Sequence, residues 1–254
     1  MGTVVVGSLA FHANAQPADP KVANAKPGDV RVLATAAIRE PLDAVLKRAE
    51  AAIGKPIVVE YGSARGNLKD EILKGQDFEA ALLLPDVDNE LQAAGKIAPG
   101  WFEIARVAIA FGLRGEARNL DVSSPAAVRT AILNAKSVKY APTGAALMTV
   151  KKIISTLDIA GKFHDSSTVA GEVPLAAGEY EIDIYPLSEI IPNKRLKNLG
   201  AVIPELQVPA IIEATVGRSA TDPQAARALI KFLEGPAIDK ALKDDGMEKG
   251  HSGK

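Results

Sequence analysis

Three short loops hold the residues best suited to chemistry, and the chemistry they suit is the capture of an anion. The first is Ala34-Thr35-Ala36-Ala37, the second Gly62-Ser63-Ala64-Arg65-Gly66, the third Ala141-Pro142-Thr143-Gly144. Each offers a hydroxyl (Thr35, Ser63, Thr143) among small residues that let a ligand approach the backbone. Each follows a short apolar run: Val30-Arg31-Val32-Leu33, Ile57-Val58-Val59-Glu60-Tyr61 and Ser137-Val138-Lys139-Tyr140. Loops of this kind lie at the carboxyl ends of parallel strands, where helix N-termini and free backbone N–H groups gather negative charge.

Charged side chains add to this set. Arg65 favours a carboxylate or a larger anion through a bidentate guanidinium contact; the alternatives are solvation or pairing with Asp70 or Glu71 one turn on. Arg106 is a second cationic candidate, with pairing to an acid as its structural alternative. Tyr185 ends a strand over 181–184 and places a hydroxyl at the same level, while Ser188 and Glu189 read as the cap of a short helix. Glu179, Glu181 and Asp183 alternate along that strand and read as a solvated or edge face.

The elements that must position these groups alternate strand with helix, which predicts a parallel sheet. Leu42, Val45, Leu46, Ala49 and Ile53 mark a helix stopped by Gly54 and Pro56. Leu68, Ile72 and Leu73 mark another. The run 80–84 predicts a strand covered on both faces, and Pro85-Asp86 opens a helix. Ser123-Ser124-Pro125 and Thr221-Asp222-Pro223 are helix starts, and a last helix follows Gly235-Pro236. Two long extended runs, near 103–113 and 207–216, interrupt the alternation and predict crossings between two lobes.

The bulk numbers bound the rest. With 254 residues, 47% of them apolar and 24% charged, the chain suffices for one large or two medium domains. A formal net charge of −1 gives no electrostatic case for nucleic acid or an anionic membrane. The absence of cysteine excludes disulfides and thiolate chemistry, and three histidines far apart in sequence argue against a metal site or a serine–histidine pair. Residues 1–16 read as a signal peptide with a small-x-small site at Ala13-Asn14-Ala15, lacking a basic residue before its apolar run. Residues 17–29 read as a flexible N-terminus, 30–113 plus 207–254 as the first lobe, and 114–206 as the second.

In their order along the chain these motifs resemble the periplasmic solute-binding proteins of ABC importers, in the molybdate-binding-like branch. The resemblance rests on Val30 to Ala37, Gly62 to Leu68, Leu83-Leu84-Pro85-Asp86, and the ending Asp222-Pro223-Gln224-Ala225-Ala226-Arg227-Ala228-Leu229 with Phe232-Leu233 and Gly235-Pro236. It implies a two-lobed α/β fold, each lobe a mostly parallel sheet flanked by helices, joined by a two-strand hinge. It also implies a monomer in the periplasm that binds a small anion between the lobes and delivers it to an ABC permease, with no cofactor, metal, nucleic acid or membrane insertion. The family's molybdate site uses neutral hydroxyls and backbone N–H groups. Ser63 keeps the serine of the second loop, whereas Ala36 and Ala37 stand where the first loop has a further hydroxyl. The ligand-binding set on this reading is Thr35, Ala36, Ser63, Arg65, Arg106, Thr143 and Tyr185. A sister branch includes aconitate isomerase, so the rival reading is an isomerase of a polycarboxylate, with Tyr185, Glu189 and the two arginines as its available groups.

Overall fold

Among the described residues ten strands form two sheets, and two stretches of chain cross between them. The computed structural model describes residues 22–116 and 120–251; the signal-peptide reading of 1–16 lies outside them. The first sheet has six strands in the order β10-β4-β9-β3-β1-β2, and the second has four in the order β6-β7-β5-β8.

Apolar strands and one-sided helices build the first sheet. Strands β1 (Val30–Thr35), β2 (Ile57–Gly62) and β3 (Ala80–Leu83) run parallel, β1 at their centre, and all of β3 is buried. Helix α1 (Arg39–Ile53) buries Leu42, Val45 and Ala49 and packs against α7 (Pro223–Glu234) and α8 (Asp239–Asp244). The cap expected before α7 is present: the Asp222 carboxylate accepts from the Ala225 N–H at 2.9 Å. Between β2 and β3 lie a wide helical turn over 64–68 and α2 (Lys69–Leu73); α3 (Pro85–Ala93) follows β3.

The crossing runs divide more finely than their apolar patterns suggest. The stretch near 103–113 is two strands, β4 (Phe102–Val107) in the first sheet and β5 (Ile109–Gly115) in the second. The lobe boundary therefore falls at Ala108 rather than after Leu113. Both halves are apolar because each is central in its own sheet, so hydropathy carries no sign of the break. The return run gives β9 (Ala210–Val216), which inserts between β3 and β4.

Gln207 ties the two crossings together. Its amide nitrogen donates to the Ile109 and Val202 carbonyls (2.9 and 3.1 Å), and its Oε1 accepts from the Ile109 N–H at 3.0 Å. Thr149 fixes the next residue, accepting from the Val208 N–H and donating to the Val208 carbonyl.

Strand direction follows from this path. β9 enters the first sheet from the second and is antiparallel to β3 and β4; β5 enters the second sheet from the first and is antiparallel to β7 (Tyr180–Pro186) and β8 (Lys197–Ala201). In each sheet most strands still run one way. The second sheet is completed by β6 (Ser137–Lys139), parallel to β7, with α4 (Pro125–Asn134), α5 (Leu147–Thr156) and the short α6 (Leu187–Ile190) about it. Strand β10 (Met247–Lys249) closes the edge of the first sheet beside β4.

Two further expectations are corrected. The described part of 17–29 is docked: Val22 is buried, and its N–H donates to the Glu60 carboxylate at 2.9 Å. The acids of β7 are not a solvated face. β7 is an inner strand, so Glu181 points into the protein, where it accepts from Arg114, Ser137 and Ser166. Those donors are distant in sequence, which is why the alternation alone misread it.

Candidate functional site

The three strand-end loops meet. Between the lobes lies a cavity of about 90 Å³. On the first-lobe side it is lined by Thr35 and Ala36 at the end of β1 and by Gly62 and Ser63 at the end of β2. The opposite wall is Ala141, Gly144 to Ala146 at the N-terminus of α5, and Tyr185, Pro186 and Glu189 from the end of β7 and α6. The volume equals about three water molecules' share of the liquid, which suits a compact ion.

Direct hydrogen bonds join the two walls. Ser63 donates its backbone N–H to the Asn67 side chain (2.9 Å), which leaves its hydroxyl to meet Thr143 Oγ1 at 2.7 Å across the cleft. The Arg65 N–H donates to the Thr143 carbonyl at 3.1 Å. Ser188 Oγ donates to the Ala37 carbonyl at 2.7 Å. The approach is close enough that a Cβ on Gly66 would stand 2.8 Å from Thr143 Oγ1. The lobes are shut on the cavity.

The wall is mostly apolar, built of alanines, glycines and Pro186, with the hydroxyls of Thr35, Ser63 and Tyr185 and the Glu189 carboxyl set among them, and it carries no cationic side chain. Its titratable groups are Tyr185 and Glu189. Burial pushes the Glu189 carboxyl up to about 7, with Arg39 pulling the other way. Burial also pushes the Tyr185 phenol well above its ordinary range, with Asp183 and Glu189 adding to the effect. Near neutral pH such a wall presents hydroxyls, peptide groups and a partly protonated acid, backed by the dipole of α5.

Of the residues expected from sequence, Thr35, Ala36, Ser63 and Tyr185 line this cavity, and Thr143 borders it through Ser63. Arg65 stands behind it. Its Nε and Nη2 donate to the two Asp86 oxygens (2.6 and 2.9 Å), and Nη1 donates to the Gly144 carbonyl at 2.6 Å, so the guanidinium is committed to the chain rather than offered to the cleft. Its partner is thus Asp86, neither Asp70 nor Glu71. Arg106 lies on β4 away from the cavity and pairs with Glu103 three residues back, at 2.5 and 2.8 Å. Glu189 is the residue that sequence reasoning placed here only for the isomerase and otherwise took for a helix cap. Its adjacency to Tyr185 at a strand end was the available signal. Among the described residues no cluster of three or more histidines, cysteines or acids is arranged to hold a metal ion.

The model of one family, described as bacterial extracellular solute-binding protein, matches residues 30–248. The chain belongs to that family. Solute-binding proteins with this two-lobed fold are also its structural likenesses. The periplasmic molybdate-binding protein of Azotobacter vinelandii superposes with a TM-score of 0.65 at 16% identity, over 86% of this chain and 98% of that one. The sulfate-binding protein SubI of Mycobacterium tuberculosis gives 0.67 at 14% identity, over 87% and 86%. In sequence the chain is 20% identical to an aconitate isomerase of a Pseudomonas species, over 95% of each.

Proposed function

We propose that this solute-binding protein captures a small anion in the closed cleft and presents it, in the periplasm, to an ABC permease. The observation that supports the reading is the inter-lobe cavity itself. Strand ends and a helix N-terminus from opposite lobes converge on a volume fit for a compact ion, with hydroxyls from Thr35 and Ser63 on one wall and Tyr185 on the other. Closure favours the bound state because only the closed form contacts ligand from both lobes.

The test is calorimetric titration and thermal denaturation with molybdate, sulfate, phosphate, and di- and tricarboxylates. One of these should raise the melting temperature and bind with one-to-one stoichiometry. If none does, the reading fails. Ser63→Ala should weaken the ligand that is found by about tenfold, as expected for a hydrogen bond to a charged group.

A second reading is favoured by one observation. Glu189, beside Tyr185, faces the cleft with no hydrogen-bond partner among the described residues, and its carboxyl is held near 7. That is the range of a general base or acid. On this reading Glu189 removes a proton from the methylene next to the double bond of a polycarboxylate, and the proton returns to the far carbon of the allyl anion, which moves the double bond. Incubation with trans-aconitate decides it: no cis product means no such activity.

A further inference from the structure

Behind Tyr185 and Glu189, which also line the cleft cavity, a second and larger chamber of about 330 Å³ opens on the face of the second sheet. Its floor is a row of side chains across three strands. Glu181 and Asp183 of β7 lie opposite Arg114 and Gly112 of β5, and Asp183 also lies opposite Lys139 of β6. The roof is the segment from Ile190 to Leu196. It rests on Gly112, where a Cβ would come within 2.8 Å of Leu196 and 2.9 Å of Ile190. The roof touches the sheet at Gly112 and leaves a space over the charged row beside it.

The charges in this chamber are unevenly committed. Arg114 donates to Glu181 and to the Val173 carbonyl, at 2.8 and 2.7 Å from Nη2. Arg195 pairs with Glu172 at 2.7 Å. Lys139 donates to the Gly171 and Val169 carbonyls. All three cations thus have acceptors within the chain. One acid lacks a donor: Asp183 Oδ1 is buried with no hydrogen-bond partner among the described residues. An acceptor left unmade in a buried place costs free energy, so the chamber is incomplete in donors.

We propose that this chamber is a subsite continuous with the cleft, and that it takes the hydrogen-donating arm, hydroxyl or ammonium, of an organic anion whose charged head occupies the smaller cavity. Asp183 accepts from the arm, Lys139 beside it offsets the charge that the acid carries, and Glu189 stands where the chamber meets the cleft. The inference rests on the cleft reading for the position of the head. It narrows the ligand class from any small anion to a hydroxylated or amino-bearing one. A second carboxylate is the wrong chemistry for the arm, since the cations that would receive it are already paired.

The experiment compares matched ligands by calorimetry. One series is ethyl phosphate, 2-hydroxyethyl phosphate and 2-aminoethyl phosphate. The other is butyrate, 4-hydroxybutyrate, 4-aminobutyrate and succinate. In at least one series the hydroxyl or amine should bind about tenfold tighter than the methyl analogue, and Asp183→Asn should shrink that ratio to near one. Which of the two donors gains more separates a neutral from a cationic arm. Equal affinities throughout, or a preference for succinate, overturn the proposal. The arm is also read without the head. Ethanolamine alone should move the Asp183 side-chain carboxyl resonance in carbon-detected NMR, identified by its loss in Asp183→Asn; an unmoved resonance counts against the subsite. Failure of inorganic oxyanions to bind would sink the head reading while leaving this NMR result to judge the arm.

Discussion

Arg65 of the first lobe donates to the main-chain carbonyl of Gly144 in the second, 2.6 Å away, while Asp86 grips the same guanidinium through both oxygens. The geometry makes Asp86 a positioning group and Arg65 a latch. The fork is fixed on one lobe, so little conformational freedom is lost when the other lobe arrives. A hydrogen bond from a charged donor contributes on the order of 2 kcal/mol. Arg65→Ala should therefore shift the open–closed equilibrium of the unliganded protein toward open. Small-angle scattering should report a larger radius of gyration, and ligand affinity should fall roughly tenfold. Identical scattering from variant and parent would mean that the latch does not hold the lobes.

Asp88 makes a prediction about pH that is independent of ligand. It sits in the first turn of α3, buried, with no N–H or hydroxyl donor of the described residues on either oxygen, and its carboxyl faces that of Glu213 of β9. Burial, reinforced by Glu213, pushes its carboxyl up to about 8. The folded protein then holds a proton that the unfolded chain releases near pH 4, so stability falls as pH rises from about 4 to about 8. Asp88→Asn keeps the neutral shape and removes this slope. Calorimetry should show a melting temperature near the parent's at pH 4 and clearly above it at pH 8. A parallel decline in both proteins would assign the slope elsewhere.

Glu79 has the opposite sign. Burial would raise its carboxyl, but it accepts from the Arg31 backbone and guanidinium and from the Thr221 backbone and hydroxyl, and these hold it below the ordinary value. Its contribution is full above about pH 4.5 and is lost as pH falls through the depressed value. Removing Glu79 leaves the Arg31 and Thr221 donors without their acceptor beside a guanidinium that still reaches solvent, at a cost of about 1–3 kcal/mol. Glu79→Ala should lose that much in urea denaturation at pH 7, and less at pH 3. An exposed-pair effect below about 1 kcal/mol would contradict the burial argument.

How legible this was from sequence depends on the range of each interaction. The strand–loop–helix rhythm and the Asp222 cap are local patterns, and both appear where the residues place them. Thr35, Ser63 and Tyr185 were legible because a strand's end fixes where its next residue points. Arg65 and Arg106 were not, since a long cation chooses among acids by three-dimensional distance. One found Asp86 twenty-one positions on, the other Glu103 three positions back. Glu181 was misread because alternation specifies two faces without saying which is covered. The break at Ala108 left no trace because both sheets demand the same apolar residues of the strand that enters them.

Glu189 links protonation to ligand. Its carboxyl faces the cavity, burial holds it near 7, and the charged or titratable groups about it are Arg39 from α1 and Asp183 and Tyr185 from β7. Protonated, it is a neutral donor to an anion; ionised, it repels one across a water-poor gap. Anion affinity should be constant below about pH 6 and decline by up to tenfold per pH unit above about pH 7, as the proton required for binding becomes scarcer. Glu189→Gln fixes the neutral form, so its affinity should stay flat through pH 8 and exceed the parent's there. Isothermal titrations between pH 5.5 and 8.5, in buffers whose anions do not bind, measure both curves. If the decline persists unchanged in Glu189→Gln, the titrating group is elsewhere; if the parent shows no decline, the ligand is not held against a neutral Glu189.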